Sequence, residues 1–175
     1  MLDRVPMHHV RSLDEVISVV ESSAGKKILI SDVDNTLVPQ GTALGDFGVV
    51  VNAAIDRLES HPGVERVIAI TNGPNRDVPR MMSRGNKPWT GRRRLGLRGC
   101  RTPILVVGDQ VLTDGLLAWR LRASFLHLVI DDESEAYRQA AMRRIGSVVV
   151  GLLFRRVEAR STGRKVWSSQ WRRAD

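Results

Sequence analysis

Residues 27–37 have the sequence KILISDVDNTL, and the order of residue types in this stretch decides the fold class. A run of four apolar or small residues, 28–31, has no helical spacing and leads into two aspartates, Asp32 and Asp34, which is typical of a buried strand. In an open parallel sheet, ligands bind just beyond the carboxyl ends of the strands. Two carboxylates at that position disfavour each other's ionisation unless a cation lies between them. The stretch predicts such a site, and the alternative is a strand that ends in a solvated aspartate-rich turn.

Three further stretches repeat this arrangement of an apolar run followed by polar residues. Residues 67–70 lead into TNG at 71–73, KP follows at 87–88, and residues 104–107 lead into GDQ at 108–110 with TD at 113–114. In chain order the four motifs are DxDNT, TN, KP and GDQxxTD. Four motifs in this order are a far more specific signal than the first motif alone.

This ordered set resembles the four motifs of the haloacid dehalogenase (HAD) superfamily, whose members include aspartate-nucleophile phosphohydrolases. The combination of DxDNT, a KP lysine and GDQxxTD is similar to the capless phosphatases of subfamily IIIA that act on phosphatidylglycerophosphate. The resemblance implies an α/β fold with a Rossmann-like parallel β-sheet flanked by helices, without a large cap domain. It also implies an Mg²⁺-dependent phosphomonoesterase that acts through an aspartyl-phosphate intermediate.

The resemblance assigns roles to individual residues of the motifs. Asp32 would attack phosphorus, and Asp34 would protonate the leaving oxygen and then activate water. Thr71 and Lys87 would complete the catalytic set. Independently of the resemblance, Thr36 is expected to have a structural role and stabilise the turn. The residues implied to bind phosphate are Asn35, Thr71, Asn72 and Lys87, and those implied to bind Mg²⁺ are Asp32, Asp34 (through its backbone carbonyl), Asp109 and Asp114.

The residues of the last motif have more than one expected role. Asp114 could ligate the metal, reach it through water, or orient Lys87, and capping of a helix by Thr113 or Asp114 is the purely structural alternative. Gly108 would let the backbone turn tightly into the site, which would bring Asp109 to the metal. Mg²⁺ suits the site because it takes oxygen ligands and bridges carboxylates to phosphate.

Composition restricts the class of protein. A chain of 175 residues is long enough for one domain with a substantial core. No apolar run approaches the roughly 18 residues of a membrane span, and the amino terminus lacks the apolar segment of a secretory signal. The single cysteine, Cys100, excludes an internal disulfide and fits a reducing cytosol. His8 and His9 are expected to be surface residues and not zinc ligands.

The net charge of +8 is unevenly distributed along the chain. Residues 76–101 contain nine arginines or lysines against one aspartate, and residues 155–175 contain seven against two acids. Such clusters favour an anionic partner, which could be nucleic acid, an anionic membrane or a phosphorylated substrate, and the alternative is a set of solvated basic faces. We expect a phosphatase domain over 1–154 and a basic tail over 155–175, whose Trp167 and Trp171 suit peripheral contact with a membrane from the cytoplasm.

Periodicity and breakers predict alternating helices and strands, as expected for parallel βαβ units. The predicted helices cover 13–21, 49–60, 75–84, 88–97, 111–122 and 132–145, and the predicted strands cover 27–32, 66–71, 103–107, 124–130 and 147–154. The interval between Thr71 and Lys87 is short, so an edge strand there is either lost or reduced.

Caps are inserted either between Asp34 and the second predicted strand or between that strand and Lys87. The first interval contains a loop and one helix and the second is too short for a folded cap, so we expect an open site that admits phosphate on a large body. A small sugar phosphate would gain from closure that excludes water. Two other functions stay open. One is a phosphatase for soluble phosphometabolites or phosphorylated macromolecules, and the other is a non-catalytic nucleic-acid-binding protein on a HAD scaffold. The sequence contains no base-reading motif that would favour the latter.

Overall fold

The structure is a computed structural model that describes residues 3–39, 42–73, 78–82, 86–129, 146 and 148–157. The strands are β1 (Val5–Val10), β2 (Lys27–Asp32), β3 (Val64–Ile70), β4 (Met81–Met82), β5 (Ile104–Gly108), β6 (Ser124–Leu128) and β7 (Phe154–Arg156). The helices are α1 (Leu13–Glu21), α2 (Leu44–Glu59) and α3 (Leu116–Leu121), and a π-helical turn over Val111–Gly115 leads directly into α3.

The described strands form one seven-stranded sheet in the order β4-β3-β2-β5-β6-β1-β7. Every neighbouring pair in this sheet is parallel. Strand β2 lies between β3 and β5, so the carboxyl ends of these three strands meet at one edge. The predicted α/β class with a parallel, helix-flanked sheet is therefore confirmed.

Both faces of the sheet are covered, which explains why β2 is buried along its whole length and why its residues 28–30 are all apolar instead of alternating. Leu29 packs on one face into a core with residues of α1 and α2, such as Val16 and Val51. Ile30 packs on the other face into a core that includes Leu117 of α3. The second core also holds Leu95, from the chain that connects β4 to β5. Burial on both sides makes the register of β2 specific, and this register fixes where Asp32 emerges.

Helix α1 forms where the capping pattern predicts it. The Ser12 side chain accepts a hydrogen bond from the Glu15 backbone N–H at 3.3 Å. The Glu15 carboxylate accepts from the backbone N–H of Arg11 at 2.9 Å, one residue earlier than in the usual reciprocal capping box. The apolar side of α1, including Val16 and Val20, faces the core.

Two strands differ from the sequence prediction. Strand β1 was not predicted, because two histidines and a proline interrupt its apolar pattern VPMHHV. Its inward residues Val5, Met7 and Val10 are nevertheless buried, and it pairs with β6 and β7. Strand β4 is only two residues long and pairs with the end of β3. The edge strand is thus reduced and not lost.

Three other predicted elements were wrong in whole or in part. Among the described residues of the predicted helix 75–84, residues 79–82 form a turn followed by β4. Residues 88–97 form consecutive turns instead of a helix, and Gly96 adopts a positive φ of 66° there. The predicted final strand is helical over 148–153, and β7 begins only at Phe154.

The remaining predictions concern the ends of the chain. The predicted helix over 132–145 lies outside the described residues, as does most of the basic tail. Strand β7 takes Arg155 and Arg156 into the sheet, so the boundary expected at residue 154 falls inside a strand. Within the described part of the chain, every helix is too short or too polar to cross a bilayer.

Candidate active site

The loop that follows β2 folds back on itself and fixes the positions of the first two aspartates. The backbone N–H groups of Leu37 and Val38 both donate to the Val33 carbonyl at 3.0 Å, and the N–H of Asn35 donates to the Val38 carbonyl at 2.9 Å. Asn35 has a φ of 61°, a left-handed conformation that asparagine tolerates better than most residues. Asp32 is therefore the last residue of β2, and Asp34 lies in the tight turn that follows it.

Thr36 does not have the turn-stabilising role that was expected of it. Its Oγ1 is buried and has no hydrogen-bond partner among the described residues. The backbone N–H of Thr36 donates to the Val33 carbonyl at 3.3 Å, so the backbone alone holds the turn at this position.

The second motif, at the end of β3, contacts the first through Thr71. The Thr71 Oγ1 donates to Oδ2 of Asp34 at 2.8 Å and accepts from the backbone N–H of Gly73, also at 2.8 Å. A hydroxyl has a single hydrogen to donate. The hydrogen that the sequence assigned to a phosphoryl oxygen is thus donated to Asp34 in this structure, where it orients that carboxylate.

Asn72 brings Lys87 into the site by a pair of hydrogen bonds to its backbone. Its Oδ1 accepts from the Lys87 N–H at 2.7 Å, and its Nδ2 donates to the Lys87 carbonyl at 3.2 Å. The peptide bond between Lys87 and Pro88 is cis. The side chain of Asn72 thus acts on the lysine backbone, and contact between this residue and phosphate stays a prediction.

The ammonium of Lys87 joins two buried carboxylates. Its Nζ lies 2.6 Å from Oδ1 of Asp32 and 2.7 Å from Oδ1 of Asp114. All three side chains are less than a tenth exposed. Buried charges persist only when they are paired and hydrogen-bonded, so the three groups depend on one another for their charged states.

The Asp114 carboxylate lies against Gly108, which explains that glycine. The Asp114 Oδ2 accepts from the backbone N–H of Gln110 at 3.2 Å. A Cβ placed on Gly108 would lie only 2.2 Å from this Oδ2 atom. Gly108 is therefore required to leave space for the carboxylate, and the tight turn expected at this position is not the reason, since no positive φ occurs there.

The carboxylates of Asp32, Asp109 and Asp114 form a cluster in which one oxygen of each lies within 4.8 Å of the others. Oδ1 of Asp109 is buried without a hydrogen-bond partner in the described residues, and its Oδ2 lies 3.5 Å from Nδ2 of Asn35. Both oxygens of Asp114 already accept hydrogen bonds, from Lys87 and Gln110. Asp109 is therefore the better candidate for a metal ligand, and Asp114 is better suited to orient Lys87.

The ionisation of the cluster points to an excess of negative charge. Burial raises the pKa of Asp32 to about 7, and Asp114 adds to this effect while Lys87 opposes it. Burial, followed by the charge of Asp32, raises the pKa of Asp109 to about 6. Burial also raises the pKa of Asp114. For Lys87, burial alone would lower the pKa, but Asp114 and Asp32 raise it.

These pKa shifts agree with one another, because the single ammonium of Lys87 pairs with only two of the three carboxylates in the cluster. A divalent cation bound at oxygen ligands would supply the missing positive charge and favour the ionised carboxylates. The buried, unpartnered oxygen of Asp109 and the hard oxygen donors of the cluster both fit Mg²⁺. The Asp34 carboxylate is not a member of this cluster, since its Oδ2 is bound to Thr71.

The site opens to solvent through a small polar cleft of about 120 Å³. Its lining includes Asp32, Asp34, Asn35, Thr71, Asn72, Gly73, Lys87, Gln110 and Thr113. A larger hollow of about 440 Å³ lies near the end of α1, between Glu21 and His61. The smaller cleft is the better candidate because the buried ion pair of Asp32 and Lys87 lines it. Residues of all four sequence motifs are thus brought together around one cleft.

The sequence prediction missed a residue that contacts this cluster from behind. His127, at the end of β6, has its Nε2 atom 3.2 Å from the backbone carbonyl of Asp109. The available signal was a single polar residue inside the apolar strand SFLHL, which does not by itself indicate a partner.

Comparison of the chain with protein-family models, with curated proteins and with solved structures finds no match. Assignment to the HAD superfamily therefore rests on the four motifs alone and is a proposal.

Proposed function

We propose that this protein is an Mg²⁺-dependent phosphomonoesterase of the capless HAD type, with Asp32 as the nucleophile. The observation that carries the proposal is the buried Asp32–Lys87–Asp114 ion network beside the unpartnered oxygen of Asp109. Such a network is costly to bury, and burial with charge partners is what an activated carboxylate nucleophile requires. Its location at the carboxyl ends of parallel strands is where ligands bind in this class of fold.

The first step of the proposed reaction is attack by Asp32 on phosphorus. Lys87 and the backbone N–H of Val33 both contact Oδ1 of Asp32, at 2.6 and 2.7 Å, so we assign the attack to Oδ2. The bond between phosphorus and the ester oxygen breaks, and Asp34 donates a proton to that oxygen. The products of this step are the free alcohol and a phosphoryl group bound covalently to Asp32.

The second step releases phosphate and regenerates the enzyme. Asp34, now ionised, removes a proton from a water molecule that attacks phosphorus, and the bond between phosphorus and Asp32 breaks. The hydrogen bond from Thr71 holds the Asp34 carboxylate in place, and Lys87 offsets negative charge on the nucleophile and on the phosphoryl group. Asp114 keeps the lysine charged and directed at Asp32.

The carboxylates of Asp32 and Asp109 would hold the Mg²⁺ ion, and the resemblance adds the backbone carbonyl of Asp34. When bound, the ion would neutralise charge on the phosphoryl oxygens and reduce their repulsion by the carboxylates. We keep Asp114 as an orienting residue, because both of its oxygens already accept hydrogen bonds.

The substrate that we propose is a phosphomonoester lipid, phosphatidylglycerophosphate, on the basis of the resemblance. A basic segment over 88–101, which follows Lys87 in the chain, supports an anionic substrate on a large body. Trp89, two residues after Lys87, is 66% exposed, and Arg120 lies over its ring at 4.9 Å. The segment also contains five exposed arginines with no acidic residue between them, namely Arg92, Arg93, Arg94, Arg98 and Arg101. We place the protein in the cytoplasm, at the inner face of a membrane.

The same arginines favour a second candidate, a non-catalytic protein that binds nucleic acid. A third candidate is a phosphatase for soluble phosphometabolites or phosphorylated macromolecules. The buried ion network favours the catalytic proposals, because a binding surface has no need for a buried lysine paired with two buried carboxylates.

A panel of phosphate esters, assayed for release of inorganic phosphate with and without Mg²⁺, tests the proposal. The panel includes phosphatidylglycerophosphate in vesicles, soluble sugar phosphates and p-nitrophenyl phosphate. We expect Mg²⁺-dependent release that is highest on the vesicles, with Asp32→Asn lower on the order of 10⁴-fold or more. Higher activity on soluble esters would favour the third candidate, and no activity on any ester would contradict the enzyme.

A further inference from the structure

Two histidines on the neighbouring strands β1 and β6 form a line of polar contacts that ends at Asp109. His9 of β1 and His127 of β6 are partners in the parallel register of these strands. Their Nδ1 atoms lie 3.3 Å apart, and the other ring nitrogen of His127, Nε2, lies 3.2 Å from the Asp109 carbonyl oxygen. Three groups on three different strands or strand ends thus form one chain of polar contacts.

The chemistry of the imidazole ring fixes the direction of these contacts. A carbonyl oxygen can only accept, so Nε2 of His127 must carry the hydrogen. In a neutral His127 ring the Nδ1 atom is then an acceptor, and His9 must donate to it from its own Nδ1–H. Burial and the nearby Arg156 lower the pKa of His9, which favours a neutral His9 ring. One pair of tautomers therefore satisfies every contact.

The ring of His127 is also held in place by a second aromatic ring. It stacks on Phe125, two residues earlier on the same strand, with ring centroids 5.6 Å apart and an interplanar angle of 28°. Phe125 is fully buried in the core. A ring held between a buried phenyl group and a second imidazole has little freedom to turn away from the Asp109 carbonyl.

We propose that His9 and His127 act as a relay that positions Asp109 for metal binding. The inference rests on the proposed function, because it takes Asp109 as a ligand of Mg²⁺. The hydrogen bond from His127 pins the peptide group that follows the Asp109 side chain, and so restricts the direction of its carboxylate. Residues that orient metal ligands in this way commonly change metal affinity by about 10- to 100-fold when they are replaced.

The pair also gives β1 a role beyond packing. His9 lies within hydrogen-bond distance of Nδ1 of His127, and it belongs to β1, which lies on the opposite side of β6 from β5. His8, the preceding residue on β1, points to the opposite face, as successive residues of a strand do. It is therefore a matched control for the loss of a histidine from this strand.

The test measures Mn²⁺ binding directly, from the electron paramagnetic resonance signal of free Mn²⁺, in the wild type and four variants. Mn²⁺ is a suitable probe because it takes the same oxygen ligands as Mg²⁺. The variants are His127→Leu, His127→Gln, His9→Leu and His8→Leu, and circular dichroism establishes that each is folded. In active samples, the Mg²⁺ concentration for half-maximal activity and the kcat at saturating Mg²⁺ are measured in parallel.

We expect His127→Leu to weaken Mn²⁺ binding by about 10-fold or more. His127→Gln, whose amide N–H can replace the Nε2 donor, should restore most of this loss, and His9→Leu should give an intermediate loss. The kcat at saturating Mg²⁺ should change little, whereas a merely structural defect would lower it. His8→Leu should bind Mn²⁺ like the wild type.

Equal Mn²⁺ affinity in the wild type, His127→Gln and His9→Leu would overturn the relay, even if His127→Leu did not fold. Equal losses in His127→Leu and His127→Gln would also overturn it, because the N–H donor would then be irrelevant. Failure of the wild type to bind Mn²⁺ would overturn the relay together with the metal site. Mn²⁺ binding with the expected pattern but without phosphatase activity would support the relay and contradict only the proposed function.

Discussion

The Nζ atom of Lys87 lies 2.6 Å from Oδ1 of Asp32, although the residues come from different motifs and both are buried. The lysine is placed by the side chain of Asn72, and its charge is held by Asp114. The nucleophile proposed here therefore depends on a lysine that two other motifs orient. Stability and activity should both respond to changes in this contact.

Replacement of the lysine should destabilise the protein as well as inactivate it. Lys87→Met leaves Asp32 and Asp114 without their buried partner, which we expect to lower the free energy of unfolding by about 3–5 kcal/mol. Urea denaturation measures this change. Lys26→Met is the matched control, because Lys26 is exposed, and it should stay within about 0.5 kcal/mol of the wild type. Equal stability of both variants would show that the buried network contributes nothing.

The raised pKa of Asp32 predicts how the stability of the metal-free protein depends on pH. An unfolded aspartate titrates near about pH 4, whereas the pKa of Asp32 in the folded protein is about 7. The folded state thus binds more protons between these values, and the contribution of this group to stability is lost as the pH rises through them. Urea denaturation in EDTA should show this decrease, and Asp32→Asn should show a shallower one. Equally steep profiles for the two proteins would contradict the raised pKa.

Removal of the metal should stop the reaction. Excess EDTA should abolish phosphatase activity, Mg²⁺ should restore it, and Ca²⁺ should restore it poorly because its coordination is longer and looser. Asp109→Asn should raise the Mg²⁺ concentration for half-maximal activity by more than about 10-fold. Asp46→Asn, at an exposed aspartate of α2, serves as the control. Full activity in excess EDTA would exclude the mechanism.

The basic tail should contribute to membrane binding without affecting chemistry. Residues 158–175 contain five arginines or lysines, and each basic residue near an anionic leaflet contributes on the order of 1 kcal/mol. Deletion of 158–175, which spares β7, should weaken salt-sensitive co-sedimentation with anionic vesicles and leave turnover of p-nitrophenyl phosphate unchanged. Equal vesicle binding by both proteins would contradict an anchoring role, and preference for DNA or RNA over vesicles would favour the nucleic-acid alternative.

The parts of the fold that depend on local pattern could be predicted from the sequence. Strand β2 and the turn after it follow from one apolar run and two aspartates, and α1 follows from its cap at Ser12. Strand β1 could not be predicted, because His8 and His9 break its apolar pattern while its burial depends on β6 and β7. The chain over 88–97 has basic residues compatible with a helix, but Gly91 and Gly96 allow the turns that bury Leu95 and Leu97.

The candidate site shows the same division between local and distant determinants. The residues around the cleft could be selected from the four motifs and from the order of these motifs along the chain. The position of Lys87 depends on two hydrogen bonds from Asn72, and the need for Gly108 depends on the carboxylate of Asp114 lying against it. The contact between His127 and Asp109 joins two strands, and no spacing in the sequence indicates it. Such contacts become visible only when the strands are paired.

Trapping of a phosphoenzyme would establish whether Asp32 forms a covalent bond to phosphorus during turnover. The wild type is mixed with Mg²⁺ and a phosphate ester that it hydrolyses, and the reaction is quenched in acid within one turnover. Mass spectrometry of the peptides should then locate one phosphoryl group on Asp32. Asp32→Asn should carry none. With p-nitrophenyl phosphate, whose leaving group needs no protonation, Asp34→Asn should form the phosphoenzyme and accumulate it, because attack by water is slowed. A phosphoryl group on another residue, or turnover by folded Asp32→Asn at the wild-type rate, would contradict the account.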